Sequence, residues 1–133
     1  MRITIIGLGL IGGSAALARA AFARGSFPGG ALTITAVDTN PATLALALEK
    51  GVADRVTPSI AQGVVDADLV LLAVPVLAMG GVVKEVDRAA PADAIITDAG
   101  SVRGSVITAV RMNARSVSFF TAGSRRRSAR CLP

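Results

Sequence analysis

The sequence predicts an α/β domain, a parallel sheet wound with helices on both faces. Three observations lead there. Short β-branched runs alternate with Ala- and Leu-rich runs of helical length through residue 123. Apolar residues make up 52% of the chain but aromatic ones only 3%, so the core must consist of Ala, Val, Leu and Ile, which suit strands covered on both sides. The length of 133 residues fits one domain and leaves little room for a second. The same apolar content excludes a disordered chain.

The elements follow in order. Arg2 to Gly7 is a β-branched run ending in a turn residue, hence a buried strand. Ile11 to Arg24 is rich in strong helix formers, and the stretch Gly25 to Gly30 breaks that helix. Leu32 to Asp38 is a second strand. Asn40 and Pro41 open the next helix as N-cap and first helical residue, and Gly51 ends it. Arg55 to Thr57 reads as a short strand and Pro58 to Val65 as a short helix. Asp68 to Val74 is an apolar strand stopped by Pro75, which starts a helix running to about Ala89. Ala94 to Asp98 is a fifth strand, Val102 to Met112 a helix, and Val117 to Phe120 a sixth strand.

The net charge of +5 is unevenly distributed. Residues 1–110 hold eight basic and nine acidic side chains, a net of −1, whereas residues 111–133 hold six Arg and no acid. A basic tail can contact nucleic acid or acidic membranes, and its plainer reading is a solvated terminus. The plainer one is adopted, with no nucleic-acid partner. Cys131 is the lone cysteine and there is no histidine, so neither an intrachain disulfide, a Cys-based metal site nor a His general base is available. No metal site is expected.

The run Ile3 to Ala18 could pass for a secretory signal, but that reading leaves its glycine spacing unexplained. Leu69 to Val83 is too short to span a bilayer and contains Pro75. A soluble, cytoplasmic protein without a membrane partner is the expectation.

Gly7-Leu8-Gly9-Leu10-Ile11-Gly12 is the spacing G-x-G-x-x-G between a predicted strand and a predicted helix. Gly7 permits a sharp turn out of the strand, Gly9 lets a diphosphate approach bare backbone, and Gly12 lets the helix pack on the strand. The helix N-terminus offers unpaired N–H groups and partial positive charge to the phosphates. Asp38, at the end of the second strand, supplies the acid that the fingerprint expects beyond it, to accept hydrogen bonds from ribose hydroxyls. The separation from Gly12 is 26 residues, longer than usual, with the extra length in the Gly/Pro turn. Alternatively, Asp38 caps a turn with Asn40. No Arg follows at Thr39 or Asn40 to neutralise a 2′-phosphate, so NAD is expected over NADP. Together these features describe a Rossmann-type sheet, and Thr39 joins the residues expected to contact the cofactor.

Ala73-Val74-Pro75-Val76 falls at the carboxyl end of the fourth strand, where ligands bind in such sheets, or is simply a strand end with a helix-starting proline. Asp98-Ala99-Gly100-Ser101 falls at the carboxyl end of the fifth. Ser101 can hydrogen-bond a ligand or cap the following helix.

Ile3 to Ser14, Val37-Asp38, Gly51 to Asp54, Ala67 to Val70, Ala73 to Val76 and Thr97 to Arg103 together resemble prephenate dehydrogenases, including their arogenate-using relatives. The resemblance covers roughly residues 1–123. Its most specific parts are Gly-Leu-Ile-Gly-Gly-Ser, Ala-Val-Pro-Val and Asp-x-Gly-Ser-Val-Arg. It implies NAD-dependent oxidative decarboxylation of prephenate to 4-hydroxyphenylpyruvate, on the route to tyrosine. It also implies a substrate-facing group of Asp98, Gly100 and Ser101, with Ser101 matching a serine beside the catalytic histidine and the substrate hydroxyl. Other reductases and β-hydroxyacid dehydrogenases share the glycine loop, and residues 97–103 tilt the reading away from them.

The chain then departs from that pattern. A His-Pro segment is expected after Gly123, where the chain reads Ser124-Arg125-Arg126-Arg127. The expectation is a nucleotide-binding domain over residues 1–123 and a foreign, frame-shifted or disordered tail over 124–133. The helical second domain of the family, and the homodimer it forms, are expected to be absent. A non-catalytic NAD-binding fragment is the competing reading.

Overall fold

The computed structural model describes residues 1–9, 32–99 and 118–121. The predicted helices over 11–24 and 102–112, the 25–30 turn and the basic tail lie outside the described residues.

Six strands form one parallel sheet: β1 (Arg2–Ile6), β2 (Thr33–Val37), β3 (Arg55–Thr57), β4 (Leu69–Leu72), β5 (Ile95–Asp98) and β6 (Ser118–Thr121). Their spatial order is β3-β2-β1-β4-β5-β6. β1 is central, and the chain winds outward from it first one way and then the other. Three described helices lie between the strands: α1 (Pro41–Glu49), α2 (Ile60–Val64) and α3 (Val76–Ala89).

Successive strand residues point to opposite faces, and the core divides accordingly. Ile6, Val37, Val70, Leu72 and Ile96 join Val64 and the α3 residues Met79, Val83 and Val86. Ile5, Ile34 and Ala36 join Ala47 of α1 and Ala53. Adjacent residues such as Ile5 and Ile6 therefore serve different cores, which is why these strands read as unbroken apolar runs rather than alternating ones. In α3, Met79, Val83 and Val86 are fully buried at i, i+4 and i+7, one helical stripe. Each such side chain contributes roughly 1.5–3 kcal/mol by leaving water.

Local signals set the helix limits. The Asn40 side chain accepts from the Ala42 N–H at 3.0 Å, Pro41 occupies the first turn, and Gly51 closes α1 at φ 63°. Ser59 caps α2 by accepting from the Gln62 N–H at 3.3 Å, so α2 starts at Ile60 rather than Pro58. β4 stops at Leu72, two residues short of the predicted Val74. Its register partners Ile6 and Asp98 are the last residues of β1 and β5, so the ladder has no strand left to pair. β6 is displaced by one residue from the predicted Val117–Phe120.

At the opposite, amino end of the sheet, charges fasten the strands. Arg2 donates from its backbone N to Asp68 Oδ2 at 2.7 Å and from Nη2 to Asp68 Oδ1 at 3.0 Å. Arg55 Nη2 reaches Asp66 Oδ2 at 3.0 Å. Among the described residues, no helix is long and apolar enough to cross a membrane.

Candidate functional site

The site lies at the carboxyl ends of the strands, where β1 parts from its two neighbours. At that point β2 and its helix lead to one side and β4 to the other, leaving a crevice. A cavity of about 740 Å³ opens there. Its described lining includes Gly7, Gly9, Asp38, Thr39, Ala73, Val74 and Pro75, so the structure gathers most of the residues expected to contact a cofactor.

Each is placed by the element beneath it. Gly7 follows β1 at φ 91°, a left-handed conformation that side chains disfavour. A Cβ there would stand 2.6 Å from the Ala73 carbonyl oxygen, so the close approach to the end of β4 also demands glycine. Gly7 N–H donates to the Val37 carbonyl at 2.8 Å, tying the turn to β2. At Gly9 the situation is reversed: among the described residues, a Cβ would meet nothing within 4 Å. The backbone at Gly9 thus presents open, exposed space to the cavity.

Asp38 is half-buried at the end of β2 and is the one charged side chain in the described lining. Its Oδ2 accepts from the Leu8 N–H at 2.8 Å and its Oδ1 from the Asn40 N–H at 2.9 Å. The turn with Asn40, the alternative role for this residue, is therefore present, and it accompanies a bond to the glycine loop. A carboxylate offers about four acceptor positions, so two more hydroxyl donors can be served. Leu8 takes part through its amide, while its side chain packs against the Ile5 cluster.

Asp98 is buried at the end of β5 and is not in the described cavity lining, whereas its neighbour Ala99 is. Leu10, Ile11, Gly12, Gly100 and Ser101 lie outside the described residues. Sequence reasoning missed Pro58 and Ile60, which line the cavity beyond β3. The available signal was their place just past a strand's carboxyl end. The arrangement offers apolar walls, a bare main-chain turn and one carboxylate, a set suited to a flat, partly polar ligand with paired hydroxyls.

The model of the prephenate dehydrogenase nucleotide-binding domain matches residues 25–123. The glycine loop precedes that match, so the two observations are separate. Cyclohexadienyl dehydrogenase of Zymomonas mobilis is 42% identical over 111 residues, covering 84% of this chain and 36% of that protein. Prephenate dehydrogenase from A. aeolicus, solved with hydroxyphenyl propionate and NAD+, aligns at TM-score 0.72 and 25% identity over 98% of this chain and 45% of that one. Synechocystis arogenate dehydrogenase shares the fold at TM-score 0.73 and 23% identity, with 95% and 43% covered. The chain thus spans less than half the length of each of these relatives. By the extent of the family match, and with the fold to agree, the chain belongs to the prephenate dehydrogenase family, in its nucleotide-binding domain.

Proposed function

We propose that this chain binds NAD in the crevice at the end of β1 and is the cofactor-binding part of a dehydrogenase acting on prephenate or arogenate. The observation that carries the reading is the meeting of the open Gly7–Gly9 turn with the Asp38 carboxylate in one cavity. The residues fit a dinucleotide on their own geometry. Gly9 leaves the space that a side chain would fill, and Asp38 retains acceptor positions for vicinal hydroxyls. A 2′-phosphate would meet the carboxylate with like charge, and neither Thr39 nor Asn40 offers a cation. The family match, and a relative solved with NAD+, support the same reading.

When bound, the nicotinamide ring supplies the hydride acceptor. This chain's own residues bind and orient: the loop holds the diphosphate, Asp38 the adenosine ribose, and Ala73, Val74 and Pro75 shape the wall on the β4 side. By the resemblance, Gly100 and Ser101 meet the substrate, with Ser101 hydrogen-bonding its hydroxyl; Asp98, the third residue of that group, is buried and stands outside the described lining. The proposed domain extends over residues 1–123, in a cytoplasmic protein.

Titration calorimetry tests the cofactor reading, with NAD expected to bind at least tenfold tighter than NADP. Equal affinity, or preference for NADP, would refute it. The chain has no histidine to take a proton, so the 133-residue protein is expected to form little NADH from prephenate on its own. Robust NADH absorbance at 340 nm with the purified chain would overturn that second expectation.

A further inference from the structure

We propose that Asp38 is a positioning residue that latches the glycine loop into its ligand-accepting shape before any ligand arrives. The inference deepens the cofactor reading and rests on it for the identity of the ligand. Asp38 and Leu8 are 30 residues apart, yet the carboxylate takes the loop's second amide at 2.8 Å. The neighbouring Gly7 N–H is held by the Val37 carbonyl, also at 2.8 Å. Two successive loop amides are therefore fastened to two successive residues at the end of β2. The Asn40 N–H fixes the other carboxylate oxygen from the far side. Hydrogen bonds to an ionised acceptor are roughly twice as strong as neutral ones, so this is a firm attachment.

Two consequences follow. The Leu8 amide points at Asp38 and is withdrawn from the diphosphate, so the loop's phosphate donors begin at Gly9, where the space is open. The carboxylate also cannot swing away from a 2′-phosphate without giving up both of its amides. Discrimination against NADP then comes from a charge that is held still, and affinity for NAD comes partly from a loop ordered in advance. Asp38 acts on the diphosphate end of the ligand through the loop, in addition to any contact with ribose.

The test separates these two contributions. The whole chain is compared with Asp38→Asn and Asp38→Ala, using NAD and an NAD analogue with a 2′,3′-dideoxy adenosine ribose. The analogue has no hydroxyls for Asp38 to bind, so a ribose-only role predicts no change for it. The latch predicts that Asp38→Ala weakens the analogue at least fivefold, with Asp38→Asn, which keeps one acceptor oxygen, in between. Equal analogue binding by wild type and Asp38→Ala would overturn the proposal.

Amide hydrogen exchange on the ligand-free protein gives a second readout. Leu8 is expected to be protected in wild type and to exchange at least tenfold faster in Asp38→Ala, while Ile5, Val70 and Ile96 keep their protection. That last control shows that the variant is folded. An unprotected Leu8 in wild type, or one indifferent to Asp38, would sink the latch even if NAD binds. If neither nucleotide binds wild type, the cofactor reading fails, and the Leu8 exchange rate still decides the latch.

Discussion

Gly7 and Gly9 stand two positions apart in one turn, and they are glycine for different reasons. Gly7 answers to the protein itself, through its φ of 91° and the Ala73 carbonyl 2.6 Å from a would-be Cβ. Gly9 has no such neighbour among the described residues, and on the cofactor reading its missing side chain serves whatever enters the cavity. Gly7→Ala is therefore expected to destabilise the fold by about 2 kcal/mol or more. Gly9→Ala is expected to leave stability within about 0.5 kcal/mol while weakening NAD at least tenfold, about 1.4 kcal/mol. Urea unfolding and calorimetry on the two variants check this, and a Gly9→Ala protein that binds NAD normally would contradict it. The sequence spacing predicts that these glycines border a ligand site, because a strand, a turn and a predicted helix follow each other in quick succession. It could not show which glycine serves the fold. That depends on Ala73, which reaches Gly7 only once β4 has paired with β1. The Leu8 bond of Asp38 was hidden for the same reason, since that amide belongs to another strand's turn, whereas the turn with Asn40 was foreseeable.

Among the elements, α3 was legible and α2 was only half so. Pro75 and the stripe of Met79, Val83 and Val86 mark the start and buried face of α3 in the sequence alone. Gly63 in α2 reads as a poor helix former, and the structure shows why it is there. A Cβ at Gly63 would collide with Val37 Cγ2, and the Gly63 carbonyl accepts from the buried Thr4 hydroxyl at 2.6 Å. The small residue brings the helix backbone against β1 and β2, where a strand threonine finds its buried partner. Gly63→Ala is expected to cost about 1–3 kcal/mol by overpacking, despite alanine's better helix propensity. Pairing it with Val37→Ala is expected to recover part of that loss. Thermal unfolding of the single and double variants measures it, and a stabilised Gly63→Ala would rule the packing account out. Helix propensity is written in the local sequence. A contact between residues 37 and 63 is not.

For the molecule as a whole, the parallel, doubly wound sheet was foreseeable from alternating strands and helices, while its strand order and the fastening of its amino edge were not. The hydrogen bonds from Arg2, side chain first and then backbone, hold the Asp68 carboxyl below the usual carboxylate range. A lowered folded-state pKa means that the ionised form favours the folded chain. The stabilisation is complete above the ordinary aspartate range and is lost as pH falls through the depressed value. Stability is thus expected to decline on acidification from about pH 5 toward pH 2, and Asp68→Asn to flatten part of that slope. Both groups are solvent-exposed, so added salt should shrink the difference. Urea midpoints across that range provide the check, and identical slopes for the two proteins would refute the role of this pair.

The central position of β1 bears on how the chain is made. β2 and β4 each bond to β1 and not to one another. As the chain leaves the ribosome, residues 2–6 can take their first partner early, but the second side of the strand waits for residues 69–72. At translation rates of about 5–20 residues per second, the roughly 35 codons from the end of β2 to the end of β4 keep that apolar edge unpaired for about 2–7 s after the second strand has emerged. Nascent-chain chaperones that shelter unpaired β-edges therefore have their natural window here, between the appearance of the second strand and the fourth.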